Sequence, residues 1–217
     1  MVFFLAFLVL TTIILPMITL SRLGRLAVAL AFVPTTILGA FATIRHRTVV
    51  FTVAAVTIGT FATDVIVEFK GSDRLAAADT TMKVACLAIL VFMTLQRTLR
   101  PGRVTRYRVA GGIAGYLLIG FMWAFGYQLL VQMVPGAIHF EHGAASNFSR
   151  QPNELIYFSF VTLTTVGYGD VQPVHPAARS LAVAEALVGQ LYLAILISSL
   201  VGMALQARME REPGNEN

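Results

Sequence analysis

The chain has 217 residues, 57% of them hydrophobic and 12% charged, with a mean hydropathy of +0.75. So few charges cannot cover a water-facing surface, which excludes a soluble domain and points to a membrane protein. The net charge of +5 and the pI near 9.8 raise the question of nucleic acid, but the basic residues fall mostly in short turns between apolar runs, where they set membrane orientation, so no nucleic-acid partner is expected.

A hydrocarbon core about 30 Å thick takes about 20 apolar residues at a rise of 1.5 Å each. Six runs approach that length: Val2 to Leu20, Leu26 to Ile44, Thr48 to Val67, Met82 to Leu99, Val109 to Val134 and Arg179 to Gln206. The fold class this predicts is an all-α membrane protein with six transmembrane helices. The first run has no basic residues ahead of it, exceeds the length of a signal core and shows no small-residue cleavage site, so it is expected to be a retained span. Cys86 is the single cysteine and lies within the fourth run; it can form no disulfide within the chain and is expected to pack.

Arg100-Pro101-Gly102-Arg103 divides the chain, because a Pro-Gly pair ends a helix where the surroundings turn basic. The division gives a four-helix membrane domain over 1–100, a basic linker over 101–108, a second membrane domain over 109–206 and a short tail over 207–217. The densest basic cluster is Arg97, Arg100, Arg103, Arg106 and Arg108, and the positive-inside rule assigns it to the cytoplasm together with both termini. Arg45, Arg47, Arg208 and Arg211 agree, while Arg22 and Arg25 fall outside. The tail is expected to hold no ligand-sensing domain. Short connections and compact size suggest a prokaryotic inner membrane.

Between the fifth and sixth runs lie 44 residues, Pro135 to Ala178. Pro135 to Arg150 is polar and glycine-bearing and reads as an extracytoplasmic loop. Its His139, Glu141 and His142 are poorly spaced for shared metal ligation. No Ser-His-Asp set and no phosphate-cradling loop occurs in the chain, so nothing argues for an enzyme. Pro152, an N-cap at Asn153 and Glu154 in the first turn then open a helix expected over 153–164. At some 16 Å it is too short to span, so it is expected to enter and leave the membrane on one side.

It leads into "LTTVGYGDVQP", Leu163 to Pro173. Irregular backbone at membrane depth must be satisfied by protein or by a watery path. Gly167 and Gly169 alternate with bulkier residues and reach left-handed conformations without a Cβ penalty, which lets successive carbonyls face one side. Four such strands about an axis, with the Thr165 hydroxyl added, would replace the water shell of a monovalent cation. One chain supplies one strand, so the mechanism requires three further copies. The carbonyl end of the short helix, near Leu163 and Thr164, would add partial negative charge.

Thr164 to Asp170, "TTVGYGD", resembles the selectivity-filter signature of potassium channels, and its order of span, re-entrant helix, filter and span is similar to that family's pore module. The likeness covers about Val109 to Gln206; over the first four spans it is architectural only. It implies a homotetramer passing K⁺ passively across the lipid bilayer. K⁺ is then the permeant ion rather than a cofactor. It is held by the backbone carbonyls of Thr165, Val166, Gly167 and Tyr168, with Gly169 completing a filter over 165–170 and Thr164 and Asp170 supporting it. Two positions depart from the family. The indole that commonly bonds the filter aspartate is replaced by Phe158, and the pore-helix glutamate of some members by Val161. Tyr157 is left to bond near Tyr168 or simply to pack.

In the last helix, expected over 179–206, Glu185 and Gly189 share a face with Leu193. An ionisable residue at this depth is a functional candidate: Glu185 either faces the back of the filter as hydrogen-bond support or as a protonated group, or is hydrated near the outer surface. Gly189, 19 residues after Asp170, matches the family's gating-hinge glycine, with close helix packing as the alternative. Arg97, Arg100, Arg103 and Arg106 have the three-residue spacing of a voltage sensor. Of these only Arg97 lies within the fourth run, so weak or absent voltage dependence is expected, with voltage sensing through Arg97 and Arg100 as the alternative. Asp64 and Glu68 read either as countercharges or as a solvated rim. A subunit of a K⁺ uptake system and a non-conducting membrane assembly stand as competing functions.

Overall fold

The computed structural model describes residues 2–14, 22–43, 47–70, 73–99, 105–140 and 152–209. It is helical almost throughout. The helices are α1 (Val2–Ile14), α2 (Arg22–Thr43), α3 (Arg47–Lys70), α4 (Asp73–Leu99), α5 (Arg106–Met133), α6 (Pro152–Leu163) and α7 (Pro176–Met209), with two short strands, β1 (Ile138–Phe140) and β2 (Val171–Pro173). Among the described residues four helices, α3, α4, α5 and α7, hold stretches long and apolar enough to cross a membrane; the apolar stretches of α1 and α2 are shorter, Phe4–Ile13 and Leu30–Phe41. The chain is an integral membrane protein.

Helices form here because hydrocarbon leaves backbone groups no other partner. The threonines that punctuate them follow the same rule by bonding back one turn: Thr12 to the Leu8 carbonyl, Thr36 to Phe32 and Thr57 to Val53, at 2.7–2.9 Å. Such hydroxyls leave the apolar surface undisturbed.

Several boundaries differ from the sequence reading. Helix α4 begins at Asp73 rather than Met82, because Asp79 and Lys83 are paired and buried within it. Helix α5 begins at Arg106, which removes three residues from the expected linker, and Arg108 is half-buried with its guanidinium against Met203 of α7. Helix α7 extends from Pro176 to Met209, beyond 179–206 at both ends. Arg100 and Arg103, like Glu141 and His142, lie outside the described residues.

The core lies where α4 and α5 pack in the most extensive interface of the chain, with α1, α2 and α6 closing around them. Leu87, Leu90, Leu118, Phe121, Phe125 and Ile156 fill it. Cys86 is buried beside them, as a packing role requires. Helix α5 is the hub, with 61% of its span buried, whereas only 11% of the span of α7 is covered. Val183, Leu187, Leu191, Ile195 and Val201 stand uncovered along α7.

The polar loop expected after α5 contains a strand. Ile138, His139 and Phe140 pair antiparallel with Pro173, Gln172 and Val171. The Ala137 carbonyl also accepts from the Val174 and His175 amides at 3.0 and 3.1 Å. The ribbon fastens the top of α5 to the chain leaving the glycine-rich segment.

Candidate functional site

The site grows from the carbonyl end of α6. Helix α6 runs Pro152–Leu163, one residue earlier at each end than expected, and Thr164 turns off it with its amide on the Phe160 carbonyl at 3.0 Å. Its hydroxyl bonds the same carbonyl at 2.6 Å. The amides of Val166 and Gly167 both return to the Val161 carbonyl, at 2.9 and 3.4 Å. The last turn of α6 thus becomes a template for the segment that follows.

In that segment φ is positive at Thr165 (59°), Gly167 (59°) and Gly169 (85°), and at no residue between them. Alternate handedness prevents the zigzag of a strand and is the pattern by which successive carbonyls can turn to a common side. The two glycines make this inexpensive. Thr165 does not: a β-branched residue in the left-handed region is a genuine outlier, the kind of strain that collects at functional sites. Its hydroxyl accepts from Gln190 of α7 at 3.2 Å. Thr164 to Gly169 are exposed throughout, with Tyr168 at 73%.

Behind this exposed edge every element is fastened. The Tyr157 hydroxyl donates to Asp170 Oδ2 at 2.8 Å, and the Val171 amide donates to Oδ1 of the same carboxylate at 3.1 Å. Tyr157 therefore bonds the aspartate itself rather than a group near Tyr168. Phe158, one residue on, is buried edge-to-face against Tyr127 at 4.9 Å. The aspartate is braced from the neighbouring position on the helix, by a phenol instead of an indole. Removing that hydroxyl with Tyr157→Phe is expected to cost about 1.5–3 kcal/mol of local stability, the usual worth of a hydrogen bond to a charged group. The outer segment would loosen while the fold survives, which faster proteolysis near Asp170 without a change in helical circular dichroism would report.

Glu185 is fully buried, so the hydrated position near the outer surface does not describe it. Its carboxyl lies between Tyr127 of α5, at 2.6 Å, and Ser159 of α6, at 2.5 Å, and no hydrogen bond joins it directly to residues 165–169. It sits behind the short helix and joins three helices. Ser159 in turn reaches the Gly120 carbonyl at 2.8 Å.

Gly189 lies against the end of α6: a Cβ there would stand 2.2 Å from the Leu163 carbonyl oxygen. The Tyr116 hydroxyl donates to that oxygen at 3.2 Å. Helix α7 passes through Gly189 unbroken.

Away from this region Lys83 is buried and paired with Asp64 at 2.5 Å and Asp79 at 2.6 Å, with the Phe125 ring 5.8 Å from its ammonium. Asp64 is thus a partner within the helix bundle and not part of a solvated rim. Sequence reading missed Asp79, although its i,i+4 spacing to Lys83 was a signal. Arg97 is exposed near the end of α4. Among the described residues no group of histidine, cysteine and acidic side chains could hold a metal ion.

The ion channel family matches residues 114–206, a stretch that contains α6, the glycine-rich segment and most of α5 and α7. That family is not enzymatic. Over 52 residues the chain is 40% identical to the two pore potassium channel c of Oryza sativa subsp. japonica, a stretch that is 24% of this chain and 11% of that relative's length. No solved structure matches the chain.

Proposed function

We propose that residues 109–206 form, in four copies, a K⁺-selective pore through which potassium passes passively across the membrane. The observation that carries this reading is the alternation of left-handed φ at Thr165, Gly167 and Gly169, a backbone pattern that would turn the carbonyls of Thr165, Val166, Gly167 and Tyr168 to one edge. Four such edges would give stacked oxygen rings of the kind that replace the hydration shell of a cation. The exposure of this edge and of α7 in the single chain supports further copies as the missing neighbours. The channel family match over the same residues, and the likeness to a protein named as a potassium channel, support potassium as the ion.

Thr164, Tyr157, Asp170 and Glu185 then act as supports, none of them touching the ion. Gly189 serves as the contact point between α7 and the end of α6, and any gating bend would start from there. Both termini face the cytoplasm of a prokaryotic inner membrane.

Flux from liposomes holding the purified protein tests the reading. With K⁺ inside and a proton ionophore present, fast barium-sensitive efflux is expected, and little when Na⁺ replaces K⁺. Equal flux of the two ions would overturn the selective filter, and a monomer or dimer by cross-linking would overturn the assembly.

Weak or absent voltage dependence follows from the charges on α4. Lys83 and Asp79 are one turn apart on the same helix and cancel, so a shift of that helix carries no net charge from the pair. Neutralising Arg97 is therefore expected to leave the conductance–voltage relation unchanged; flattening of a steep curve would show the opposite.

A further inference from the structure

The contacts around Glu185 constrain where its protons are. Ser159 has one hydroxyl hydrogen and stands within hydrogen-bond distance of two acceptors, the Gly120 carbonyl at 2.8 Å and Glu185 Oε1 at 2.5 Å. If Glu185 were a carboxylate, the one hydrogen would be shared between two acceptors, with no second hydrogen for the other contact. Tyr127 cannot supply it, because its single hydrogen is directed at the other carboxyl oxygen, Oε2, at 2.6 Å. A second hydrogen gives each contact a bond of its own, and Glu185 Oε1 is the only atom in the set that can carry it.

We propose that Glu185 is a neutral carboxylic acid that donates to Ser159, so that the hydrogen bonds run in one direction: Tyr127 to Glu185, Glu185 to Ser159, Ser159 to the Gly120 carbonyl. Every donor is used once and every acceptor is filled. The surroundings agree with a neutral group. Glu185 is 0% exposed, and among the described residues no cation pairs with it. The titratable groups facing it are Tyr127 and, further off, Tyr116, both of α5, and α6 presents none. A buried charge without a cation is costly, while a neutral acid with both oxygens bonded is not.

The chain of bonds fixes a position. It ties α7 to α5 and both to the middle of α6, four residues before Leu163. Gly120 makes this possible, since a Cβ there would meet the Phe160 ring at 2.6 Å and hold α6 away. Glu185 is thus a positioning residue for the short helix. The protonation stands independently of the pore; only its effect on ion flux rests on the function proposed above.

Infrared difference spectroscopy of the full-length protein in liposomes, wild type against Glu185→Gln, reads the proton directly. At neutral pH a protonated-carboxyl band that shifts in D₂O is expected in the wild type and absent from the variant. A difference spectrum with carboxylate bands alone would overturn the proposal. Glutamine imitates the neutral acid, its amide donating to Ser159 and its carbonyl accepting from Tyr127. K⁺ flux through Glu185→Gln is therefore expected within about twofold of wild type. A loss of about tenfold or more in a well-folded Glu185→Gln would show that the charge is required and refute a neutral acid. Should that variant fail to fold, Ser159→Ala provides the second reading: it removes the acceptor, so the protonated-carboxyl band must move to higher frequency, and an unmoved band would defeat the assignment. Because the infrared result does not depend on conduction, failure of the pore reading and failure of this one are distinguishable.

Discussion

Gly189→Ala is expected to lower K⁺ flux by at least about tenfold and to destabilise the assembly, because the added methyl meets the Leu163 carbonyl oxygen at 2.2 Å. That atom is backbone at the end of α6, already bonded by Tyr116, so it cannot swing aside as a side chain would. Either α7 or the end of α6 must move, and the segment from Thr165 to Gly169 begins two residues later. Overpacking of this kind costs about 1–3 kcal/mol. In a helix free of such contacts the same change would gain about 1 kcal/mol from propensity alone. The two roles of Gly189 therefore predict opposite signs. A contact point gives a lower unfolding temperature with lost flux or selectivity, whereas a hinge alone gives equal or higher stability and a channel that opens less. Melting of the purified protein, followed by K⁺ and Na⁺ flux, separates them.

Lys83→Met is expected to be the most destabilising single substitution in the first four helices, at about 3–5 kcal/mol, because it strands buried charge. Asp79 is almost wholly buried and Asp64 largely so, and Thr63 donates to Asp79 at 2.5 Å. Without the ammonium two carboxylates face each other across α3 and α4. The prediction carries its own control: combining Lys83→Met with Asp64→Asn and Asp79→Asn removes the whole cluster and should recover most of the loss, since neutral side chains of similar size pack where an unpaired charge cannot. Protein yield and thermal unfolding of the single and triple variants check it. Equal instability in both would mean that shape, not charge, holds the helices together.

How far the sequence disclosed this molecule depends on how local each signal was. The helical runs, the short helix near Pro152 and the glycine alternation were legible because hydropathy, a proline at a helix start and the absence of a Cβ act within a few residues; the cap was misplaced, since α6 begins at Pro152 and Asn153 lies inside it. Four features were not legible. The left-handed Thr165 is imposed by the template of the last turn of α6 and runs against the preference of a β-branched residue. The strand Ile138–Phe140 is three residues long within a polar stretch and exists only through its partner Val171–Pro173. The Tyr157–Asp170 bond depends on the direction in which the segment leaves α6, which no spacing along the chain specifies. The same holds for Asp64, which stands 19 residues from Lys83 and meets it only once α3 and α4 pack.

The uncovered edge from Thr164 to Gly169 has a genetic corollary. If the pore is shared among four copies as proposed, no copy owns a conducting path, and one altered edge disturbs rings completed by three normal ones. In a cell making normal and filter-defective chains in equal amounts and mixing them freely, only about one assembly in sixteen would be wholly normal. Alleles that damage this edge but still assemble would then act dominantly. Alleles that prevent the helices from folding would merely halve the number of channels.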